Sequence, residues 1–274
     1  MKRTGFLDGR RIYFHDDTVI GVSKDGNDDR GNGSPTAPYL TIAKAFGDVT
    51  ATRKAILLSP GVYEETLIWP SINGVQLIGL EKPSTKSYGC IVKPEGTGLP
   101  RADCLAIAVN PTVQETTFEM TIQNILLDYS DGKGLQLDNE SVGRKINCYL
   151  SHVVGEGTGR FLEVVHTYAD ECIRVYQDGD SSEIEGLIYF AVKNSDDRLY
   201  CSNVWLSGGI ETSADAIISH MRFKDCILKL NGGAGGNVAQ LVTIIGCVSE
   251  SDLAYLAAAA TEVPTSTLVD LKLA

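Results

Sequence analysis

The sequence predicts an all-β protein, a single-stranded right-handed parallel β-helix: a solenoid of about eight or nine coils with a capping helix at each end. Three observations lead there. A template of the form apolar-x-apolar-x-(Gly/Asn/Asp/His)-apolar recurs along the chain. The apolar runs between its copies span three to six residues, too short for helices. The 28 glycines among 274 residues are spread throughout, so the backbone turns often.

The template fits 75–80, 120–125, 148–153, 199–204, 221–226 and 242–247. Its fifth positions are Gly79, Asn124, His152, Asn203, Asp225 and Gly246, in steps of 45, 28, 51, 22 and 21 residues. Taking 45 and 51 as double steps gives about 24 residues per coil, within the range of solenoid repeats. Second apolar segments fill the gaps, at 55–58, 104–109, 135–137, 161–165, 187–190, 216–218 and 239–241. Each repeat reads strand, turn, strand, turn, and period-two alternation puts one side of each strand inside. A unit this short cannot bury its apolar side alone, but stacked units can.

Three regions follow in chain order: an arm at 1–21, the β-helix at 22–250, and a cap and tail at 251–274. In the arm, Arg11 to His15 has strand character, suited to pairing with a neighbouring subunit or packing on its own solenoid. Thr41 to Phe46 reads as a short amphipathic helix, near 41–47, that plugs the apolar end of the stack. Pro60-Gly61 turns the chain after the first inner strand. Glycines at 132, 134, 155, 157, 159, 208, 209, 232, 233, 235 and 236 fall between strands, where corners call for positive φ. Asn124, Asn203 and Asp225 take equivalent corners. Ser251 to Ala260 reads as a C-terminal capping helix that Pro264 stops, and Thr267 to Leu273 alternates like a strand with the same two options as the arm.

A formal charge of -11 argues against nucleic acid and an anionic membrane surface as partners. No run of about 18 apolar residues is present to span a membrane. The opening residues lack the apolar core of a signal peptide, so synthesis in a host cytoplasm is expected. Seven cysteines without Cys-x-x-Cys or zinc spacing read as buried, reduced side chains.

Residues 22–69 carry a resemblance. Gly26 to Asp28, Gly33 to Pro35, Pro38 to Ala45 and Ile56 to Glu64 match a Gly-Asn-Asp, Gly-Ser-Pro, Pro-Tyr-x-Thr-Ile-x-Lys-Ala and Ile-x-Leu-x-Pro-Gly-x-Tyr-x-Glu pattern. This resembles the opening coil of pectin-lyase-like right-handed β-helix proteins. It covers about a sixth of the chain and bears on fold rather than chemistry.

Many members of that superfamily act on acidic or complex polysaccharides, so catalytic groups are sought on that expectation. Asp196-Asp197 is a paired acid, but the Gly-His-Gly and Arg-Ile-Lys signatures of polygalacturonase-like members are absent. One coil concentrates suitable types: Arg174 as a base, with Asp178, Glu183 and Glu185 as carboxylates for a lyase or a two-carboxylate hydrolase. The competing reading is a solvated acidic turn. Asp25, Asn27 and Asp29 place oxygens at alternate positions, as a calcium loop begins, but Arg30 and Thr36 stand where such a loop needs glycine and glutamate. Calcium is the one cofactor this pattern suggests. His152, His166 and His220 fall on different coils.

Compact β-helices recur in bacteriophage spikes and decorations. By that analogy the chain is expected to be a non-catalytic virion structural protein on a capsid or tail, homotrimeric and in contact with other virion proteins. The alternative is a polysaccharide lyase or glycoside hydrolase acting on an acidic or surface glycan. A secreted carbohydrate-binding β-helix is a third possibility.

Overall fold

The protein is described here from a computed structural model covering residues 2–7, 10–15, 18–83, 89–95, 104–112, 116–139, 144–166, 172–191, 197–212, 218–228, 239–245, 247–249, 268–269 and 272–273. It is an all-β chain whose parallel strands stack in a strongly curled, solenoid-like sheet. One helix, Ile42–Gly47, is present among the described residues. Among those residues no helix is long and apolar enough to cross a membrane. The expected C-terminal helix at 251–260 lies outside them.

Three parallel ladders form the stack. The first face joins Val19–Val22, Ala55–Leu58, Val75–Gly79, Thr117–Gln123, Lys145–Ser151, the first part of Cys172–Ile184, the first part of Arg198–Leu206, Ile218–Lys224, Ala239–Ile245 and Leu268–Val269. The second joins Gly61–Glu64, Cys90–Lys93, Ile125–Ser130 and Val154–Gly157, then the ends of the two long strands, Ile227–Leu228, Val248–Ser249 and Lys272–Leu273. The third joins Leu67–Ile68, Leu105–Val109, Lys133–Asn139, Arg160–His166, Leu187–Ala191 and Ile210–Thr212.

Parallel, in-register stacking sets equivalent residues one above the next, about 4.8 Å apart. The interior is therefore built from columns. On the first face one column runs Ile20, Ile56, Leu77, Ile122, Leu150, Gln177, Cys201 and Phe223, all buried. The Gln177 amide meets that apolar setting by donating to the Val153 carbonyl at 3.2 Å. The six template copies all fall on first-face strands. The register corrects one step: Val75 to Ile78 pair directly with Met120 to Gln123, so the 45-residue interval is one long coil rather than two. Its surplus lies in the connections between strands. The 51-residue interval is a double step, through Cys172–Ile184.

The corner after the first face is where the template's polar position acts. Asn124, His152, Asn203 and Asp225 have φ of 55°, 52°, 53° and 52°, the left-handed conformation that Asn and Asp tolerate best among side-chain-bearing residues. Asn124 also donates from Nδ2 to the Gly79 carbonyl of the preceding coil at 3.2 Å. Asn124→Ala keeps the strained backbone and loses that bond, so it is expected to cost about 2 kcal/mol in urea unfolding. Asn124→Gly should recover the backbone share of the loss.

Glycine works differently from the expectation. Of Gly132, Gly134, Gly155, Gly157, Gly159 and Gly208, the left-handed region holds Gly157 alone, at φ 148°. Gly134, Gly159 and Gly208 serve close approach between coils, and Gly155 makes room for the Phe161 ring. A Cβ on Gly159 would lie 2.0 Å from the Gly132 carbonyl oxygen, one on Gly186 2.6 Å from that of Gly159, and one on Gly208 2.1 Å from that of Gly186. These glycines form one vertical column in which backbone rests on backbone.

Helix Ile42–Gly47 starts at Thr41, whose Oγ1 accepts from the Lys44 N–H at 3.2 Å. Buried Ile42, Ala45 and Phe46 join the core, with the Phe46 ring edge-on to Trp69 at 5.3 Å. Two carboxylates anchor the helix start. Asp28 accepts from Leu40 N (2.7 Å), Thr41 N (3.2 Å) and Thr41 Oγ1 (2.7 Å), while Glu65 accepts from Ile42 N (3.0 Å) and Ala43 N (2.8 Å). Asp28→Ala is expected to cost about 2 kcal/mol, read as a lowered thermal midpoint, because three donors lose a charged acceptor at once.

The arm is neither paired with the solenoid nor a lone strand. Lys2–Leu7 and Arg10–His15 form an antiparallel hairpin in a two-stranded sheet of its own. The tail takes the second of its two options: Leu268–Val269 and Lys272–Leu273 extend the first and second ladders.

Candidate functional site

With the interior filled by side chains, what the molecule offers to others is the outer surface of its ladders. Every second residue of a strand points outward, and stacking sorts these residues into columns. On the first face the central outer column holds Gln76, Thr121, Tyr149, Tyr176, Tyr200 and Arg222. The three tyrosine rings stack, with centroids 5.0 Å and 5.1 Å apart and planes within 14° and 11° of parallel. Ring spacing thus follows the coil spacing, in the offset-stacked range that aromatic pairs prefer.

Basic and polar groups flank this aromatic column. On one side stand Glu119, Asn147, Arg174 and Arg198; on the other Gln123, Ser151, Asp178, Ser202 and Lys224. Ser202 Oγ donates to Asp178 Oδ1 at 2.9 Å, and Arg198 reaches the Tyr200 hydroxyl at 3.5 Å. With Lys145 and Arg222, the outer first face carries five cations, Lys145, Arg174, Arg198, Arg222 and Lys224, against the acids Glu119 and Asp178. In a chain of charge -11 this is a locally basic, aromatic surface.

The outer second face has the opposite character. One column runs Val62, Ile91, Leu126, Val154, Glu183, Trp205 and Ile227. All but Glu183 are apolar; Val62 and Ile227 are 40% and 39% exposed, Ile91, Val154 and Trp205 are half-buried, and Leu126 is buried. Beside it runs an acidic column: Glu64, Lys93, Asp128, Glu156 and Glu185. Within it Lys93 pairs with Glu64 at 2.7 Å.

On the third face, Glu163 is buried and its carboxylate is held by Lys133 (2.6 Å), Gln136 (3.0 Å) and Arg160, whose guanidinium also lies 3.9 Å from the Tyr189 ring centroid. This closes a charge between two coils and leaves the carboxylate's oxygens occupied.

The structure divides the sequence-nominated catalytic group. Arg174 and Asp178 share the outer first face; Glu183 and Glu185 lie past the register shift between Asp178 and Ser182, on the second. Asp178 accepts from Ser202, and Glu185 Oε2 accepts from the Gly157 N–H at 3.3 Å, so both carboxylates link neighbouring coils. Asp197 is buried and accepts from the Ile173 N–H at 2.6 Å, a backbone role; Asp196 lies outside the described residues. In the calcium-like loop, Asn27 Oδ1 accepts from the N–H groups of Asp29 (2.9 Å) and Arg30 (2.8 Å), closing a local turn, and Asp25 N–H donates to Ser23 Oγ at 3.3 Å. Among the described residues no three His, Cys, Asp or Glu side chains gather as a metal-ion site.

Sequence reading missed the tyrosine column and the apolar stripe. The first had a signal. Tyr149 and Tyr200 occupy the second position of the template, and aligning Tyr176 with them would have revealed three rings in one column. The second had none. Leu126 stands inside the apolar run Ile125-Leu126-Leu127, and residue type does not say which of the three points outward.

The fold and its surfaces define a class: an all-β protein of parallel strands in a curled solenoid-like sheet, with its distinguishing chemistry on two outer faces. No protein-family model matches the chain, and no curated protein matches it in sequence.

Proposed function

We propose that this chain is a non-catalytic structural protein of a virus particle, a pectin-lyase-like right-handed β-helix decorating a phage capsid or tail as a homotrimer. The observation that carries the proposal is the hairpin Lys2–His15, a two-stranded sheet separate from the solenoid. A lone two-stranded hairpin is marginal in water, and its open edges suit strand pairing with a capsid or tail subunit. The employment of Asp178 and Glu185 in coil-to-coil bonds supports the non-catalytic part. The test is binding of purified full-length chain to phage particles that lack it, read by co-sedimentation. Saturable binding, lost when residues 1–15 are deleted, is the expected result. A chain that never associates with particles overturns the proposal.

A second reading, a polysaccharide lyase or glycoside hydrolase on an acidic or surface glycan, rests on Arg174 and Asp178 flanking the tyrosine column. Clear turnover of acidic polysaccharides, lost in Arg174→Ala, would establish it against the first.

A further inference from the structure

We infer that the basic, aromatic outer first face of one copy docks on the acidic, apolar outer second face of the next, closing three copies into a ring. The inference deepens the homotrimer reading above and rests on it. Two properties of the surface carry it.

The first is complementarity. The first face presents five cations against two acids, and the second presents Glu64, Asp128, Glu156, Glu183 and Glu185 against Lys93. Like faces would set cation against cation or acid against acid, which is unfavourable, whereas unlike faces attract. The apolar stripe spans seven coils, about 29 Å at the strand spacing. With coils of equal height facing, Val154 and Trp205 come against the Tyr149 and Tyr200 rings and Glu183 comes level with the Tyr176 hydroxyl, a hydrogen-bond donor, with the remaining charges at the rim.

The second is closure. The two faces meet at one corner, the column of Asn124, His152, Asn203 and Asp225. When complementary surfaces flank a single edge, each copy offers one to the neighbour before it and the other to the neighbour after it. A head-to-tail contact of this kind forms a closed ring when its rotation closes. With the ring axis along the solenoid, coils of equal height come together. The coils of Lys145 and Arg174 are then level with those of Glu156 and Glu185.

Charge reversal on the full chain tests this. Lys145→Glu with Arg174→Glu on the first face, or Glu156→Lys with Glu185→Lys on the second, should each shift the assembly from three times 29.5 kDa toward one, read by light scattering. All four changes in one chain should restore the trimer, because the swapped faces again match. Persistence of the trimer in either double variant, or failure of the fourfold variant to recover it while its circular dichroism stays native, overturns the inference. Carbodiimide coupling of a mixture of 15N-labelled and unlabelled wild-type chains gives a readout without mutation. Mixed-label Lys145–Glu156 links are expected, and links confined to one face overturn the inference. A trimer that forms this way yet never binds particles leaves the inference standing and removes the virion proposal. Particle binding by a chain that stays monomeric does the reverse.

Discussion

Gly159→Ala is expected to destabilise the protein by about 3 kcal/mol, at the upper end of the usual cost of inserting a methyl group into a packed region. The added Cβ would lie 2.0 Å from the Gly132 carbonyl oxygen and 2.5 Å from the carbonyl carbon and oxygen of Asp131. All three are backbone atoms, so no side-chain rotation relieves the overlap. Relief requires the two coils to separate where Arg160 N–H donates to the Gly132 carbonyl at 2.8 Å and Gly159 N–H to the Ser130 carbonyl at 3.1 Å. The clash and the weakening of these bonds therefore add. Gly47→Ala is the matched control. It lies at the end of helix Ile42–Gly47 with nothing within 4 Å of its would-be Cβ, so alanine there is expected to be neutral or to gain up to about 1 kcal/mol. Urea midpoints of the two variants moving in the same direction by the same amount would contradict the glycine column.

The second large effect concerns alkaline pH. Burial pushes the thiols of Cys90 and Cys148 up, and that of Cys201 up to about 12, while a hydrogen bond with Cys247, together with burial, raises Cys226. Burial likewise raises the phenols of Tyr63 and Tyr129. The unfolded chain releases these protons near the ordinary values of 9.0 and 10.0, whereas the folded chain keeps them. Above pH 9 the unfolded state therefore binds fewer protons than the folded state, and stability falls as pH rises. Each fully shifted group contributes a slope approaching about 1.4 kcal/mol per pH unit, so Cys148 and Cys201 together approach about 3 kcal/mol per unit above pH 9.5, with Cys90 and Cys226 acting in the same direction and the tyrosines adding above 10. Thermal midpoints taken under reductant should be level up to pH 8.5 and drop steeply by pH 10.5. Replacing Cys148 and Cys201 by alanine should lower the midpoint at neutral pH, through lost packing, and flatten the alkaline slope. A midpoint unchanged between pH 8.5 and 10.5 would contradict the burial of these groups.

These two effects draw on very different amounts of sequence information. Buried cysteines were legible, since an odd number without metal spacing on alternating strands leaves few other places for them. The left-handed corners at Asn124, Asn203 and Asp225 were legible too, because few side chains tolerate that conformation and their spacing repeats. The role of Gly159 was not: a glycine needed for positive φ and one needed for close approach are the same letter, and only the neighbouring coil distinguishes them. The single long coil between Gly79 and Asn124 was hidden for a related reason. Strand pairing fixes register, and connections of any length leave the ladder unchanged. Of the nominated site, Arg174 and Asp178 do share a surface, but the register shift after Asp178 sends Glu183 and Glu185 around the corner. Nothing in the run of acids and serines marks where the chain bends.

The stacked rings of Tyr149, Tyr176 and Tyr200 have an optical consequence. Three phenols held nearly parallel at fixed spacing are chromophores close enough to interact, and their near-ultraviolet dichroism depends on that arrangement. One ring belongs to each of three successive coils, so the band reports whether those coils remain in register. It can fade while the far-ultraviolet signal of the strands persists. The middle of the solenoid therefore carries its own gauge, able to tell coils slipping past one another from strands coming apart.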